Sequence, residues 1–386
     1  MQTAPSRSLP EKPRILLIRF SSLGDVVKCT ALPRLIKKAY PASHLTFLTS
    51  EGHLELLAGN PHIDRVIGFQ RKEGVRGVIS LAAGLRAEGL DLVVDVHNSL
   101  RSRLLRMFLR RPSTRYSKRT LQRLLLIHLG WNTYRPGMDG RVPGKEDDFL
   151  AGLAPYGVTD DGLGTELTVK PTLEETQGGD LPSGGLSREL SHAQETVLGW
   201  RKAGLPVLGA APVAAWPLKC WSPEKWREAL TGFLRDTGGA LLLFGGPGDA
   251  HVGQLAEALK KVAPGASRTS TEGDITPRVL SLAGNTTMLQ SAWFASQCDL
   301  MVSHDTGMSH ISEAVGRRVL VLFGPTSREL GYFPVRKDSR TLERPLGCRP
   351  CTRTGQGRCR HPWNGACLEG ISANTVQSAI MEGLGI

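Results

Sequence analysis

The chain of 386 residues contains no apolar run that approaches the roughly 18 residues of a membrane-spanning helix. Its opening residues, MQTAPSRSLPEKPR, lack the apolar core of a secretory signal peptide and are typical of a frayed tail. Hydrophobic residues make up 40% of the chain and charged residues 22%, which are ordinary values for a soluble globular protein. We therefore expect a cytoplasmic protein without a membrane-spanning segment.

A convincing dinucleotide-binding fingerprint is also missing. Gly246-Pro247-Gly248 follows a predicted strand, but its proline does not suit the turn. No acidic residue ends a suitable second strand about 20 residues further on. The sequence thus argues against a nicotinamide or flavin enzyme. An Asp-x-Asp site for a divalent metal is likewise absent beside every candidate phosphate-binding turn.

Seven cysteines in a chain expected to be cytosolic argue against a disulfide framework. Four of them are close in sequence and match the ligand types of a tetrahedral zinc or iron site. They are Cys348, Cys351, Cys359 and Cys367. The last two do not form a second CxxC pair, so four reduced structural thiols are the alternative. The isolated cysteines, Cys29, Cys220 and Cys298, are predicted to be packing residues.

Acidic residues are missing from the segment 101–123, although the net charge of the whole chain is only +12. The basic residues of this segment are Arg101, Arg103, Arg106, Arg110, Arg111, Arg115, Lys118, Arg119 and Arg123. Such an excess indicates an anionic partner: nucleic acid, an acidic lipid surface or a phosphorylated substrate. A solvated helix face is the alternative. The segment lacks the interleaved aromatic residues of a platform for single-stranded nucleic acid.

Short apolar strands alternate with helical stretches in both halves of the sequence, which predicts an α/β fold with doubly wound parallel sheets. The predicted strands are 15–20, 45–48, 65–69, 92–96, 207–211, 240–244, 300–302 and 319–323. The predicted helices include 26–39, 193–203, 223–234, 308–315 and 374–383.

The simplest architecture is two Rossmann-like domains that face each other across a cleft. We expect a flexible tail at 1–13 and a first domain at 14–170. A linker rich in Pro, Gly and Ser, with a connecting helix, follows at 171–205. The second domain is expected at 206–345, and a cysteine-bearing tail with a closing helix at 346–386.

The segment 299–326 is the most informative part of the second half. A strand ends at Asp305-Thr306-Gly307, a helix follows, and the next strand ends at Gly324-Pro325-Thr326. Ligands of open α/β sheets bind at the carboxyl ends of the strands, where helix N-termini offer N–H groups to phosphate. His310 lies about one turn into the helix, near the same edge. The pattern indicates a phosphate or nucleotide-sugar site, although a plain helix cap also accounts for Asp305 and Thr306.

Two further residues follow predicted strands. Asp25, in SSLGD, stands where the first helix begins, and the helix dipole favours its ionised form. It is either a general base for an acceptor hydroxyl or a simple cap. Lys219, on the loop after the first strand of the second half, can neutralise a diphosphate. The alternative for a single lysine is a solvated side chain.

Four motifs in order resemble those of glycosyltransferase family 9, the ADP-heptose–lipopolysaccharide heptosyltransferases, over residues 14–380 or so. They are ILLIRFSSLGDVV at the first strand, LKCWSPEKW around Lys219, SHDTGMSHISEAVG followed by LFGPT, and the cysteine-bearing CRPCTRTGQGRC. The resemblance implies the two-domain GT-B fold. It also implies an inverting, metal-independent transfer in which Asp25 is the base. Lys219 and the amides of Thr306, Gly307 and Met308 would stabilise the departing ADP.

The resemblance extends to binding residues. Where the family often has a ribose-binding glutamate, the loop GGPGDAH offers Asp249. Met288 resembles a position beside the adenine, with core packing as its alternative, and Met308 replaces a commoner proline or leucine. The expected nucleotide-sugar contacts are Asp249, Met288, Asp305, Thr306, Gly307, Met308 and His310. The expected acceptor contacts are Ser22, His97, Asn98, Arg101 and Arg119.

The leading hypothesis is a heptosyltransferase that acts on the anionic lipopolysaccharide core at the inner face of the cytoplasmic membrane. Its partners would be ADP-heptose, Kdo-lipid A or a heptosylated core, and the membrane surface. It would need no cofactor for catalysis, apart from a structural zinc or iron at the cysteines. One alternative is a protein O-heptosyltransferase. Another is a basic nucleic-acid-binding protein with a zinc module, which would leave Asp25 and the SHDTG turn without a role.

Overall fold

A computed structural model describes residues 6–137, 140–177, 187–263 and 277–386. The chain divides into two compact units. The first comprises Met1–Arg123 and Tyr134–Thr168, and the second comprises Leu124–Thr133 and Val169–Ile386. Each unit is built around one parallel sheet. None of the helices in the described ranges is long and apolar enough to cross a membrane.

The first unit contains a five-stranded sheet in the order β3-β2-β1-β4-β5. Its strands are β1 Arg14–Ile18, β2 His44–Ser50, β3 Arg65–Phe69, β4 Leu92–Asp95 and β5 Ser113–Arg115. Ile15 and Leu17 of β1 pack into one hydrophobic core, whereas Leu16 and Ile18 pack into another on the opposite face. The near-continuous apolar run that predicted this strand is therefore the consequence of a sheet buried on both faces.

The second unit contains a six-stranded sheet in the order β11-β10-β9-β6-β7-β8. Its strands are β6 Val207–Ala211, β7 Ala240–Leu243, β8 Val279–Ser281, β9 Leu300–His304, β10 Arg318–Phe323 and β11 Arg340–Glu343. Leu241 and Leu243 face one core, and Ala240 and Leu242 face the other. This sheet is also covered on both faces.

Helices connect the strands of both sheets. Those before residue 178 are α1 Leu23–Lys28, α2 Ala31–Ala39, α3 Leu54–Ala58, α4 Gly74–Ala87, α5 Leu100–Leu109, α6 Thr120–Leu124, α7 Lys145–Leu150 and α8 Leu173–Gln177. The later ones are α9 Arg188–Lys202, α10 Pro223–Thr237, α11 Ala250–Lys260, α12 Met288–Ser296, α13 Gly307–Ala314, α14 Ala366–Glu369 and α15 Ala373–Leu384. The helix predicted at 26–39 is divided into α1 and α2. The reason is that Pro33 has no N–H to donate to Cys29, and Thr30 turns back to bond the Val27 carbonyl at 2.6 Å.

The sequence analysis did not predict three of the strands: β5, β8 and β11. Two of them, β5 and β11, are mostly polar, with the sequences STR and RTLE. All three lie at the edges of their sheets, where one side of a strand has no neighbour to bury it. Short strands of this kind carry no apolar run, so the pattern that located the central strands could not locate them.

Part of the predicted linker, residues 178–186, lies outside the described residues, as do residues 1–5 of the predicted tail. Further along the tail, the Arg7 amide donates to the Pro155 carbonyl at 2.9 Å, and Leu9 packs against the first unit's core. Residues 124–133 belong to the second unit, although the sequence analysis assigned them to the first domain. The domain boundaries at 170/171, 205/206 and 345/346 remain predictions.

Both sheets have a point where the order of strands changes direction. In the first sheet the chain winds from β1 through β2 to β3 and returns to place β4 on the other side of β1. In the second sheet it winds from β6 to β8 and returns to place β9 beside β6. The carboxyl ends of the strand pairs β1/β4 and β6/β9 are therefore where ligands of such sheets bind.

Candidate functional site

Asp25 lies just beyond the carboxyl end of β1, in the first turn of α1. Its Oδ2 atom accepts hydrogen bonds from the Ser22 hydroxyl at 3.0 Å and from the Ser22 amide at 3.3 Å. The residue is buried, with 7% of its surface exposed. By accepting the Ser22 amide, Asp25 closes the first turn of the helix, as the cap interpretation predicts. A capping role alone, however, does not explain why the carboxylate is buried next to an arginine.

That arginine is Arg19, which the sequence analysis did not select. Its guanidinium forms an ion pair with Asp25, donates to the Val96 carbonyl, and lies 5.2 Å from the centre of the Phe149 ring. Burial acts to raise the pKa of the Asp25 carboxyl, but Arg19, the Ser22 hydroxyl and Lys145 together hold it below its usual value. Asp25 is consequently a buried, ionised carboxylate that Arg19 and Ser22 hold in place.

The carboxyl end of β4 supplies the neighbouring wall of this site. Asp95 is fully buried and accepts the amides of His97 at 3.0 Å and Asn98 at 2.7 Å. Asn98 adopts the left-handed conformation, with φ of 48°, and its side chain donates to the Tyr116 carbonyl at 3.1 Å. These bonds fix the turn that begins α5.

His97 has an edge-to-face contact with Phe20 at 5.3 Å between ring centres. Burial, followed by the charges of Arg19 and Lys118, lowers the pKa of His97 to about 4. The imidazole is therefore neutral at physiological pH. A neutral ring can exchange hydrogen bonds with a sugar hydroxyl without adding a charge beside Arg19.

The predicted acceptor-binding arginines differ in their surroundings. Arg101 lies over the rings of Phe20 at 5.5 Å and Phe69 at 5.3 Å. Arg119 forms an ion pair with Asp148 at 2.6 Å. Arg106, which the sequence analysis counted in the basic segment expected to face an anionic partner, is instead paired with the buried Asp95 at 2.9 Å. The one-sided charge of the segment 101–123 is thus partly compensated by acids elsewhere in the chain.

In the second unit, three strand ends meet at one ionic network. Lys219, on the loop after β6, donates to the Asp305 carboxylate at 2.6 Å and to the Asp305 carbonyl at 3.0 Å. Thr326, after β10, donates to the same carboxylate oxygen at 3.0 Å. The strands β6, β9 and β10 are neighbours in the sheet. The structure therefore brings together Lys219 and Asp305, which the sequence analysis selected separately.

His304 is a second residue that the sequence analysis passed over. It is fully buried at the end of β9, and its Nε2 atom accepts the Trp221 amide at 2.9 Å. Burial, together with the charge of Lys219, lowers the pKa of His304 to about 4, so the ring stays neutral and keeps its acceptor nitrogen. Trp226 contacts the ring edge-to-face at 5.3 Å. His304 thereby fixes the loop that carries Lys219.

The N-terminus of α13 has polar side chains that do not cap it. Thr306 is the N-cap residue, but its hydroxyl makes no cap hydrogen bond. In the described part of the chain, this buried hydroxyl oxygen has no hydrogen-bond partner. Asp305 is engaged by Lys219 and Thr326 instead. The plain cap interpretation of Asp305 and Thr306 is therefore wrong, and the first amides of α13 are not satisfied by these two side chains.

The remaining predicted nucleotide contacts also follow strands of the second sheet. Asp249, after β7, accepts the Gly246 amide at 2.6 Å and closes the turn before α11. Met288, beyond β8, is the first residue of α12 and is partly buried. Met308 packs against the hydrophobic core, and His310 is buried in α13 with its ring 6.2 Å from that of Tyr332.

The four cysteines of the segment 348–367 do not form the predicted metal site. Within the described residues, no group of three or more His, Cys, Asp or Glu side chains could hold a metal ion. Cys359 accepts the Gly365 amide at 3.3 Å, and Cys367 is buried against the core of the second unit. Burial, with the neighbouring thiols, raises the pKa of Cys351 to about 11, so this thiol is protonated. The alternative of reduced structural thiols fits these contacts better.

The isolated cysteines behave largely as predicted. Cys29 and Cys298 are buried in the hydrophobic cores of the first and second units. Cys220 is only partly buried, and its thiol lies 3.7 Å from the Ala214 carbonyl.

The chain is similar to known glycosyltransferases. Residues 168–358 match the family model "Glycosyltransferase family 9 (heptosyltransferase)". The chain is 27% identical to lipooligosaccharide heptosyltransferase 2 of Haemophilus influenzae over 344 residues, which cover 86% of this chain and 88% of the relative.

Solved structures establish the fold. A family 9 glycosyltransferase from Veillonella parvula superposes with a TM-score of 0.69 at 22% identity, over 97% of this chain and 98% of its own. ADP-heptose LPS heptosyltransferase II of Escherichia coli superposes with a TM-score of 0.64 at 20% identity, over 96% and 98%. The predicted α/β fold with two parallel-sheet domains of the GT-B type is confirmed. The chain carries a glycosyltransferase family 9 domain over residues 168–358 and is a glycosyltransferase.

Proposed function

We propose that this glycosyltransferase transfers heptose from ADP-heptose to the lipopolysaccharide inner core, either Kdo-lipid A or a heptosylated core. Relatives that are lipooligosaccharide and lipopolysaccharide heptosyltransferases support this class of acceptor. The similar solved structure of ADP-heptose LPS heptosyltransferase II supports this donor. The observation that carries the proposal is the ionised, buried Asp25 at the β1/β4 switch point. We assign the chemistry of the acceptor to the first unit and that of the donor to the second.

On the acceptor side, Asp25 is the general base. As the acceptor hydroxyl oxygen forms its bond to the anomeric carbon, its proton passes to the Asp25 carboxylate. The bond between the anomeric carbon and the diphosphate oxygen breaks on the opposite face, so the configuration is inverted. Arg19 and Ser22 keep the carboxylate ionised and in place. Proton transfer to a positioned carboxylate of this kind contributes about 10²–10⁴-fold to a rate.

On the donor side, the leaving ADP gains negative charge. Lys219 uses two of its three N–H groups on Asp305, so one remains for a phosphate oxygen. The amides of Thr306, Gly307 and Met308 lie at the positive end of the α13 dipole, together with the Thr306 hydroxyl, which has no hydrogen-bond partner among the described residues. These groups take the role that a divalent metal has in other transferases, and the reaction needs no cofactor.

The other donor contacts follow from their positions beyond the strands of the second sheet. We assign Asp249 to the ribose and Met288 to the adenine, with Asp305, Met308 and His310 near the diphosphate and sugar. One carboxylate oxygen of Asp249 accepts the Gly246 amide and holds the turn. The other oxygen is the one that we assign to the ribose. On the acceptor, Ser22, His97, Asn98, Arg101 and Arg119 are the proposed contacts. The enzyme would act in the cytoplasm, peripherally on the inner face of the membrane.

The decisive measurement is a transfer assay with purified protein and ADP-heptose. Kdo-lipid A and a heptosylated core are offered separately, and mass spectrometry follows the added heptose. We expect a mass increase of one heptose on one lipid acceptor, in the presence of a metal chelator. Transfer to a polypeptide without transfer to any lipid acceptor would establish the protein O-heptosyltransferase alternative instead.

The pH profile tests the contribution of Arg19. In the Arg19→Gln variant the burial of Asp25 is no longer opposed by the guanidinium, so the pKa of the carboxyl rises. Because the base must be ionised, the acidic limb of the kcat/KM profile should move to higher pH. Arg19→Lys keeps the charge and should restore the limb towards its original position.

Arg34→Gln is the matched control for this profile. Arg34 is a partly buried arginine of the first unit that also pairs with acids, but it binds Asp161 and Glu166 instead of Asp25. Its loss should lower the free energy of unfolding without moving the acidic limb. If Arg19→Gln and Arg34→Gln leave the limb in the same place, Arg19 does not set the ionisation of the base.

A further inference from the structure

Two neighbouring helices of the first unit, α4 and α5, have outer faces that contain no acidic residue. The sequences GVRGVISLAAGLRA and LRSRLLRMFL lack Asp and Glu altogether. The two helices pack against each other. Glu88, just after α4, is bound by Arg65 at 2.8 Å, and Glu73, just before it, accepts the Gln70 amide at 2.9 Å. The nearest acids at the ends of α4 are therefore engaged.

Large apolar side chains on these faces point into solvent. Val75 and Ile79, one turn apart on α4, are 56% and 47% exposed. On α5, Leu100 and Met107 are 74% and 58% exposed. A helix that only covers a sheet keeps such residues on its inner face, as Val78, Leu85, Leu105 and Leu109 do. Exposed apolar side chains gathered on adjacent helices mark an interaction surface.

Arginines alternate with these apolar residues. Arg103 is exposed and shares one face of α5 with Leu100 and Met107, because the spacings are three and four residues. The exposed Arg110 directly follows the helix. On α4, Arg76 and Arg86 are exposed. We call the outer faces of α4 and α5 the α4/α5 surface. Within the two helices its charge is of one sign, and its exposed apolar side chains alternate with exposed arginines.

We propose that the α4/α5 surface docks on an anionic lipid bilayer. Interfacial helices bind in this way, with Leu, Ile or Met entering the headgroup boundary and arginines contacting anionic headgroups. A protein partner that binds in a groove calls for an apolar strip without charges, whereas apolar residues that alternate with arginines match an anionic lipid surface. This inference rests on the proposed function only in that a lipid-borne acceptor gives the docking a purpose.

The position of the surface relative to the proposed acceptor site supports the same occupant. Leu100 begins α5 directly after the turn that Asp95 fixes at the carboxyl end of β4. Arg101, the next residue, lies over Phe20, which follows β1. The α4/α5 surface thus runs up to the edge of the sheet that carries Asp25. An acceptor whose lipid tails remain in the bilayer would present its sugar at this edge.

Vesicle sedimentation tests the proposal without any substrate. The full chain is mixed with vesicles of phosphatidylcholine alone or with added phosphatidylglycerol, at low and high salt. We expect binding to the anionic vesicles that weakens as salt is raised. Arg76→Gln with Arg86→Gln should weaken this binding by roughly 25-fold, since each arginine near an anionic surface contributes on the order of fivefold. Ile79→Gln with Met107→Gln should weaken vesicle binding at both low and high salt, because this variant loses the apolar side chains that enter the bilayer.

The matched control is Leu163→Gln with Leu198→Gln. Both leucines are exposed, at 71% and 39%, and lie outside the α4/α5 surface. The control should bind vesicles as the unchanged chain does. Sedimentation equilibrium shows whether the Ile79/Met107 variant has lost a self-association, and thermal unfolding shows that each variant is folded.

Equal binding of all variants, or no binding of the unchanged chain, would overturn the proposal. So would a dimer that dissociates in the Ile79/Met107 variant while vesicle binding stays the same, because the surface would then dock a second copy. Transfer to a deacylated, water-soluble core should be unchanged in the surface variants. Since vesicle binding is measured without substrate, failure of the docking proposal leaves the transfer proposal intact, and the reverse holds as well.

Discussion

Replacing Asp25 with asparagine is expected to lower kcat by about 10²–10⁴-fold, because the proposed reaction loses the group that accepts the proton of the acceptor hydroxyl. Asparagine keeps the size of the side chain and an oxygen that can accept from the Ser22 hydroxyl. Binding of ADP should be nearly unchanged, because the proposed nucleotide contacts all lie in the second unit. Single-turnover transfer and ADP titration measure the two effects separately.

The Asp25→Asn variant is also expected to be less stable, and this loss of stability needs a control. Arg19 would be left as a buried cation without its counterion, and breaking a buried pair costs about 3–5 kcal/mol. Asp161→Asn is the matched control, since Asp161 is a buried carboxylate of the same unit that is bound by Arg34. It should lower the free energy of unfolding yet keep full transfer. Full activity of Asp25→Asn, or equal loss of activity in Asp161→Asn, would remove Asp25 from the role of base.

The sequence predicted that the proposed site residues follow strands, and it could do so because both sheets are buried on both faces. Their central strands read as uninterrupted apolar runs, so the polar residues that follow them, such as Asp25 and Asp305, stood out. The order of motifs along the chain then indicated the family. Edge strands such as β5 and β11 have no such run, and their residues carried no signal.

Residues that support the site from within were harder to recognise. Arg19 follows an apolar strand, where a cation usually reaches solvent, and nothing in the sequence indicates that Asp25 would be buried against it. His304 ends β9 and reads as part of the same motif as Asp305, yet its partner Trp221 is 83 residues away. Contacts between residues that are distant in sequence are set by the tertiary fold, and they could not be recognised from the sequence alone.

The cysteines and the basic segment show the same limit of a single sequence. Spacing alone suggested a tetrahedral metal site, but within the described residues no group of three or more His, Cys, Asp or Glu side chains could hold a metal ion. Likewise, the absence of acids from the segment 101–123 did not reveal that Asp95 and Asp148 would pair with Arg106 and Arg119. A local excess of charge therefore overstated the number of cations left for an anionic partner.

Lys219→Met is the second variant from which we expect a large effect, a loss of roughly 10²–10³-fold in kcat. The proposed role of Lys219 is to stabilise charge that grows on the diphosphate as the glycosidic bond breaks, so the loss should appear in kcat as well as in ADP binding. The change also leaves the Asp305 carboxylate with Thr326 as its remaining hydrogen-bonding side chain in this network. That carboxylate would then repel the diphosphate, which adds to the effect.

Two comparisons separate this role from a merely structural one. Lys219→Arg keeps a cation at the site and should recover part of the lost rate, whereas a packing role would not distinguish arginine from methionine in this way. Lys225→Met is the matched control, because Lys225 also pairs with an acid of the same unit, Glu369 at 3.1 Å, but not with Asp305. It should transfer heptose at the normal rate. If Lys219→Met and Lys225→Met reduce the rate equally, the leaving group is stabilised by the α13 amides without Lys219, and the lysine serves only to hold Asp305.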